Sequence, residues 1–254
     1  MSRPGLAVVG TDTEIGKTVV SALVVARYAP EHPLSYWKPV ASGADTDERD
    51  TETVRWLTGA ESGDPAGRPA GPVEILPEEY LFGRPLSPHL AARLEGRRVE
   101  PERLLERYRQ LRRREEGRTL VVEGVGGLLV PLTETGAGDD GAAAAGLLLI
   151  DLLPALDLAC LLVARSTLGT INHSLLSLEA LRDRGVEVAG VVLVGPPNLE
   201  NRRAVERFGR AEVIGELPPL DPLSPETLQE AARGFDPEGR LRGYLTRDEG
   251  RQKA

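Results

Sequence analysis

Six short apolar runs punctuate the chain: "LAVVG" (6 to 10), "LSYW" (34 to 37), "TLVVEG" (119 to 124), "LACLLVA" (158 to 164), "VAGVVLV" (188 to 194) and "EVIGEL" (212 to 217). Most are continuously apolar rather than alternating, as parallel strands covered on both faces require. Between them, apolar positions recur at helical spacing over 17–28, 48–58, 88–95, 101–115, 142–153, 172–184, 199–208 and 224–233. This alternation predicts an α/β fold, a mostly parallel sheet flanked by helices on both faces. The stretch from Gly59 to Glu74, "GAESGDPAGRPAGPVE", is rich in Gly and Pro and reads as a long surface loop. Residues 1–242 are expected to form one domain and 243–254, ending in "TRDEGRQKA", a charged, mobile tail.

Composition narrows the classes of partner. With 254 residues, 41% of them hydrophobic, the chain can bury a sizeable core. A formal net charge of −8 leaves nothing to offset phosphate repulsion over a broad surface, which argues against nucleic acid and anionic membrane as partners. The single Cys160, inside "LACLLVA", reads as a buried, reduced thiol, and no intrachain disulfide is possible. The opening residues lack the apolar core of a secretory leader, and the longest apolar stretch, "AAAAGLLLIDLL", is broken by Asp151. The expectation is a soluble, cytoplasmic protein.

The densest chemistry lies in "GTDTEIGKTV", Gly10 to Val19. It follows an apolar strand and opens a helix, so backbone N–H groups of the turn and the helix N-terminus converge on an anion. Lys17 would reach the β- and γ-phosphates of a nucleotide and the Thr18 hydroxyl would ligate Mg2+. The bland reading is a glycine turn capping a helix. Against an ordinary phosphate loop, five residues rather than four separate Gly10 from Gly16. Two further stretches end strands at the carboxyl edge of the sheet, where ligands of parallel α/β folds bind. "YWKPVASG" places Lys38 and Ser42 there, with a solvated surface lysine as the alternative. "LVVEGVGGLLVPL" places Glu123 at a strand tip, as a Mg2+ ligand or as a turn cap.

Together with "RDTE", "LFGRPLSPHLAARLEG", "LGTINHSLLSLEAL" and "GELPPL", these motifs resemble the dethiobiotin synthetase family over residues 6 to about 220. The resemblance accounts for the longer loop, which belongs to the family pattern, and implies a P-loop NTPase-like fold. It also implies ATP- and Mg2+-dependent ring closure of 7,8-diaminopelargonic acid with CO2, taken from CO2/bicarbonate, to give dethiobiotin, ADP and phosphate. Carried over by motif, Glu14, Ile15, Gly16, Lys17, Thr18 and Val19 hold the nucleotide, with Glu14 near the reacting groups and Lys17 and Lys38 stabilising developing charge. Thr18, Asp50 and Glu123 hold Mg2+. The turn of Glu123, Gly124, Val125 and Gly126, and the loop Pro218, Pro219 and Leu220, lie by the nucleotide. Ser42 contacts the substrate. Gly169, Thr170 and Asn172, which would take its carboxylate, come from the partner subunit of a homodimer.

One feature departs from the family pattern. Many relatives carry an Asn-Asp pair where this chain has Val194 and Gly195, which leaves Asn198 or the Pro218–Leu220 loop as candidates to read the base. His89 and His173 are assigned to structure and His32 to the surface, and the acids interleaved in "RYRQLRRREEGR" suit a solvated helix face. Two other classes remain: a partition- or maturation-type ATPase of the same fold acting on a macromolecular partner, and a related amidoligase.

Overall fold

The computed structural model describes residues 4–46, 49–60, 71–113, 118–134, 136–137, 143–144 and 146–246. In chain order the elements are β1 (Gly5–Gly10), α1 (Lys17–Tyr28), β2 (Leu34–Trp37), β3 (Val40–Ser42), α2 (Asp50–Thr58), β4 (Val73–Leu76) and β5 (Tyr80–Phe82). Then come α3 (Pro88–Leu94), α4 (Pro101–Arg113), β6 (Thr119–Glu123), β7 (Gly136–Ala137), β8 (Ala143–Ala144), α5 (Leu149–Leu156) and β9 (Ala159–Arg165). The chain continues through α6 (Thr170–Asp183), β10 (Val188–Val194), α7 (Leu199–Gly209), β11 (Val213–Leu217), α8 (Pro225–Gly234) and α9 (Arg242–Leu245).

Seven strands form the main sheet in the order β11-β10-β9-β1-β6-β2-β4, and every pairing in it is parallel. The continuous apolar runs follow from this arrangement: Leu6 and Val8 face one buried cluster while Ala7 and Val9 face the other. The first cluster includes residues of α1, α2, α8 and α9, and the second residues of α3 to α7. A strand between two such layers has no polar face to offer. Behind the sheet, the Asp236 carboxylate accepts hydrogen bonds from Tyr28 and from the Arg240 and Leu241 amides, clasping the 235–241 turn onto the end of α1.

Several expectations need correction. Val73 and Glu74, placed in a surface loop, begin the edge strand β4, whose register on β2 runs from Leu34↔Val73 to Trp37↔Leu76. The helix expected over 142–153 starts only at Leu149. Ala143–Ala144 instead pairs antiparallel with Gly136–Ala137, and Leu148 bridges Pro131. Alanine-rich composition signalled helix there, but at Gly146 an added Cβ would lie 2.4 Å from the Thr133 carbonyl oxygen, a close approach that holds the chain extended. The short β3–β5 pair was not anticipated. Packed structure also reaches beyond residue 242, since Leu245 in α9 is buried and its carbonyl accepts the Thr119 hydroxyl at 2.8 Å. Residues 247–254 of the expected tail, the first residue of the helix expected over 48–58 and the last two of that expected over 101–115 lie outside the described residues. No helix among the described residues is long and apolar enough to cross a membrane.

Candidate active site

The tips of β1, β6 and β2, neighbours in the sheet, converge at its carboxyl edge. From β1 the chain turns through residues 11–16 into α1, with the Thr11 amide still donating to the Val163 carbonyl at 3.0 Å. Gly16, the residue before α1, has φ 90, and an added Cβ would meet Val194 Cγ1 at 3.1 Å. Glycine is therefore required there twice over, by backbone sign and by space. Lys17 is buried, and its ammonium donates to the Asp12 carbonyl at 2.7 Å across the loop. Burial lowers its pKa to about 8, against the opposing pull of Glu123.

Around the loop a polar cluster closes. The Thr18 hydroxyl contacts Asp50 and lies 3.0 Å from Glu123 Oε1. Lys38 pairs with Asp50 and donates to Glu123 Oε1 at 2.9 Å, while Tyr36 donates to Glu123 Oε2 at 2.9 Å. Glu123 has no exposed surface, yet each carboxylate oxygen has a partner, as a buried charge demands. Burial alone would lower Lys38, but Glu123 and Asp50 outweigh it and raise its pKa. Burial would raise Asp50, and Lys38 with the Thr18 hydroxyl brings it down instead. Burial and the Glu123 charge push Tyr36 well above the usual tyrosine range, so it stays a hydrogen-bond donor.

One hydroxyl and two carboxylates make a hard oxygen set that fits a divalent cation such as Mg2+, with room left for phosphate oxygens and water. Among the described residues no group of three or more His, Cys, Asp or Glu could hold a metal. The mixed set is therefore the candidate seat.

These groups line a cleft of about 590 Å3. Glu14, Gly16, Lys17, Thr18, Lys38, Ser42, Asp50, Glu123, Val125 and Gly126 all reach it. Ile15 and Val19 pack into the core beneath α1, and Gly124 lies against Leu149. Pro218, Pro219 and Leu220 line a separate groove of about 700 Å3 beside edge strand β11, which contains no phosphate-loop residue. Gly169, Thr170 and Asn172 open α6 outside the cleft of their own chain.

Asn198, a candidate for reading the base, instead caps α7. Its side chain accepts the Asn201 amide at 3.0 Å and its own amide donates to Glu216 at 3.1 Å. His32 is half-buried rather than plain surface, with Nε2 2.7 Å from the Thr119 hydroxyl. The cleft also holds residues that sequence reasoning passed over: Arg49, Leu81, Leu86, Ser87 and Val130. "LFGRPLSPHL" contained the signal for three of them, but Ser87 and Pro88 read as a helix start, which they also are. Tyr36 carried no signal beyond its place in a strand.

A parallel sheet with a phosphate loop after its central strand, a buried acid at the next strand tip and helices on both faces defines a P-loop nucleoside triphosphatase fold. Solved structures agree on the fold. A ParA family ATPase from Chlorobium tepidum matches with TM-score 0.54 at 10% identity, covering 97% of this chain and 99% of that one. The MinD cell division protein of Aquifex aeolicus matches with TM-score 0.54 at 12% identity, covering 95% and 98%. A family model described as an AAA domain matches residues 4–227. Among proteins of known name, the ATP-dependent dethiobiotin synthetase BioD of Nitrobacter hamburgensis is 42% identical over 239 residues, 94% of this chain and 97% of that protein. The BioD protein of Agrobacterium fabrum is 43% identical over 224 residues, 87% and 89% of the two chains. The chain belongs to the dethiobiotin synthetase family.

Proposed function

We propose that this protein closes the ureido ring of dethiobiotin from 7,8-diaminopelargonic acid, CO2 and ATP. The observation that carries the reading is the meeting of Lys17, Lys38, Thr18, Asp50 and Glu123 in one cleft whose lining also includes the apolar Leu81, Leu86 and Val130. A diamine with a long aliphatic chain needs both kinds of surface. One amine takes up CO2 with loss of a proton, and the carbamate oxygen attacks the γ-phosphorus, releasing ADP. The second amine then attacks the carbonyl of the mixed anhydride, expels phosphate and closes the ring.

The chain's residues serve this sequence by position and charge. Lys17, anchored at the loop, faces the triphosphate, and Lys38 neutralises oxyanions that gather where carbamate meets γ-phosphate. Ser42 lines the same cleft and would contact the carbamate or the diamine. Thr18, Asp50 and Glu123 would hold Mg2+, which supplies charge neutralisation for the phosphates when bound.

The same reading makes the protein a homodimer in which Gly169, Thr170 and Asn172 complete the neighbour's site. Leu129, Leu168 and Leu176 support this, because all three are large, apolar and exposed, with Leu168 99% accessible. Leu129 and Leu176 line one shallow hollow with His173. The partition-ATPase alternative has likeness of fold alone behind it.

The deciding experiment incubates the protein with diaminopelargonate, bicarbonate and MgATP and looks for the cyclic urea by mass spectrometry. ATP hydrolysis without that product would remove the assignment.

A further inference from the structure

Lys38 is the cation that neutralises the Asp50–Glu123 pair. It reaches both carboxylates from the tip of β2, and the Thr18 hydroxyl touches the same two groups. The Lys17 ammonium bonds the Asp12 carbonyl rather than either carboxylate, and Arg49 lines the cleft without an acidic partner among the described residues. Glu123 and Lys38 are sequestered, at 0% and 5% exposure. Without a cation between them the fully buried Glu123 and the partly exposed Asp50, whose side chain is 30% accessible, would repel, and Glu123 would have no solvent to offset its charge.

Resting on the reading that Thr18, Asp50 and Glu123 seat a divalent cation, we propose that Lys38 is that seat's placeholder. Ammonium and metal exclude one another between the two carboxylates. Mg2+ binds its oxygens at about 2.0–2.1 Å, closer than an ammonium, so it needs the faces of Asp50 and Glu123 that Lys38 holds. A metal arriving alone adds two positive charges to a cleft that already holds Lys38 and Lys17, and takes from the ammonium the two carboxylates it is paired with. A metal arriving with a nucleotide brings phosphate oxygens that give Lys38 another partner, and the lysine's long flexible stem lets it move to them. Metal and nucleotide therefore bind as a coupled pair, each strengthening the other by the same factor. Lys38 is delivered to the phosphates in the same exchange.

Mn2+ binding, followed by electron paramagnetic resonance with no diamine or bicarbonate present, tests this independently of the substrate assignment. Nucleotide-free wild type is expected to bind Mn2+ at least about tenfold more weakly than the ADP-bound protein, within the usual range of coupling between sites. Lys38→Met and Lys38→Gln are expected to bind Mn2+ about tenfold or more tightly than wild type without nucleotide, the glutamine retaining a hydrogen-bond donor for the acids. Adding Glu123→Gln to either variant should abolish that gain. Equal or weaker binding in a folded Lys38 variant overturns the proposal, as does a gain that survives Glu123→Gln. Should neither variant fold, wild type that binds Mn2+ equally well with and without ADP overturns it. Loss of Mn2+ binding from ADP-bound Asp50→Asn is the separate check on the seat itself, and retention there would remove the metal reading.

Discussion

Lys17 and Lys38 are both buried lysines in one cleft, yet their surroundings push them in opposite directions. Lys17 has a carbonyl for a partner, and burial brings its pKa to about 8. Lys38 has two carboxylates, which outweigh its burial. The difference has a consequence for stability. A lysine whose pKa is lower in the folded than in the unfolded chain opposes folding while both states are protonated, and that cost fades as pH rises from the folded to the unfolded value. Nucleotide-free Lys17→Met is therefore expected to be more stable than wild type near pH 7, by up to about 3 kcal/mol, with the gap closing between pH 8 and 10.5. Urea unfolding of both proteins across that range measures it, and a gap constant with pH would show that packing is responsible. In turnover the two lysines should agree. Lys17→Ala and Lys38→Ala are each expected to lose roughly a hundredfold or more, as groups that stabilise developing charge commonly do. A folded Lys38→Ala protein with normal turnover would take Lys38 out of the mechanism.

Among the elements, the end of β10 is where the family resemblance would put the nucleotide base. Val194 packs on Gly16, and Gly195, with φ 128, lies so close to Ser166 that an added Cβ would be 2.5 Å from the serine Oγ. Neither position offers a side-chain hydrogen bond to a purine, and the Asn198 side-chain oxygen is taken up capping α7. Selectivity by hydrogen bonding should therefore be weak, with GTP and CTP supporting ring closure at a modest loss relative to ATP. Initial rates for each triphosphate decide this, and an ATP preference on the order of a thousandfold or more would point to Asn198, the Pro218–Leu220 loop or backbone groups. The central strands were legible because a doubly covered parallel strand must be apolar throughout, and α1 because the phosphate loop marks its start. β4 was obscured by its position at the sheet edge, where burial is incomplete and the preceding Gly- and Pro-rich segment dominates the local signal. The start of α5 was hidden because helix propensity lost to tertiary contacts at Gly146 and Leu148. Within the cleft, Lys17 and Thr18 were found because phosphate chemistry fixes their types and spacing, whereas Asp50 came from the family resemblance alone, as did the role of Ser42. Tyr36, Leu81 and Val130 were missed because an ordinary strand or loop residue becomes part of a site only when the fold turns it inward.

For the whole molecule, the separation between the cleft and the start of α6 makes a specific demand. If Asn172 serves the neighbour's cleft, Lys38→Ala and Asn172→Ala proteins, each inactive alone, should regain roughly a quarter of wild-type turnover when mixed as equal amounts and allowed to exchange. Exchange without recovery would mean that each chain builds its own site. The sheet order also bears on how the protein comes into being. β1 is translated first but stands mid-sheet, and its neighbours are β6 and β9, distant in sequence. The phosphate loop thus leaves the ribosome well before the strands that flank β1 on either side. Until Arg165 has emerged, the nascent chain carries an apolar strand with neither neighbour complete, a segment for chaperones to shelter. A chain stalled before Thr119 should fail to retain ATP even though every residue of its phosphate loop has been made.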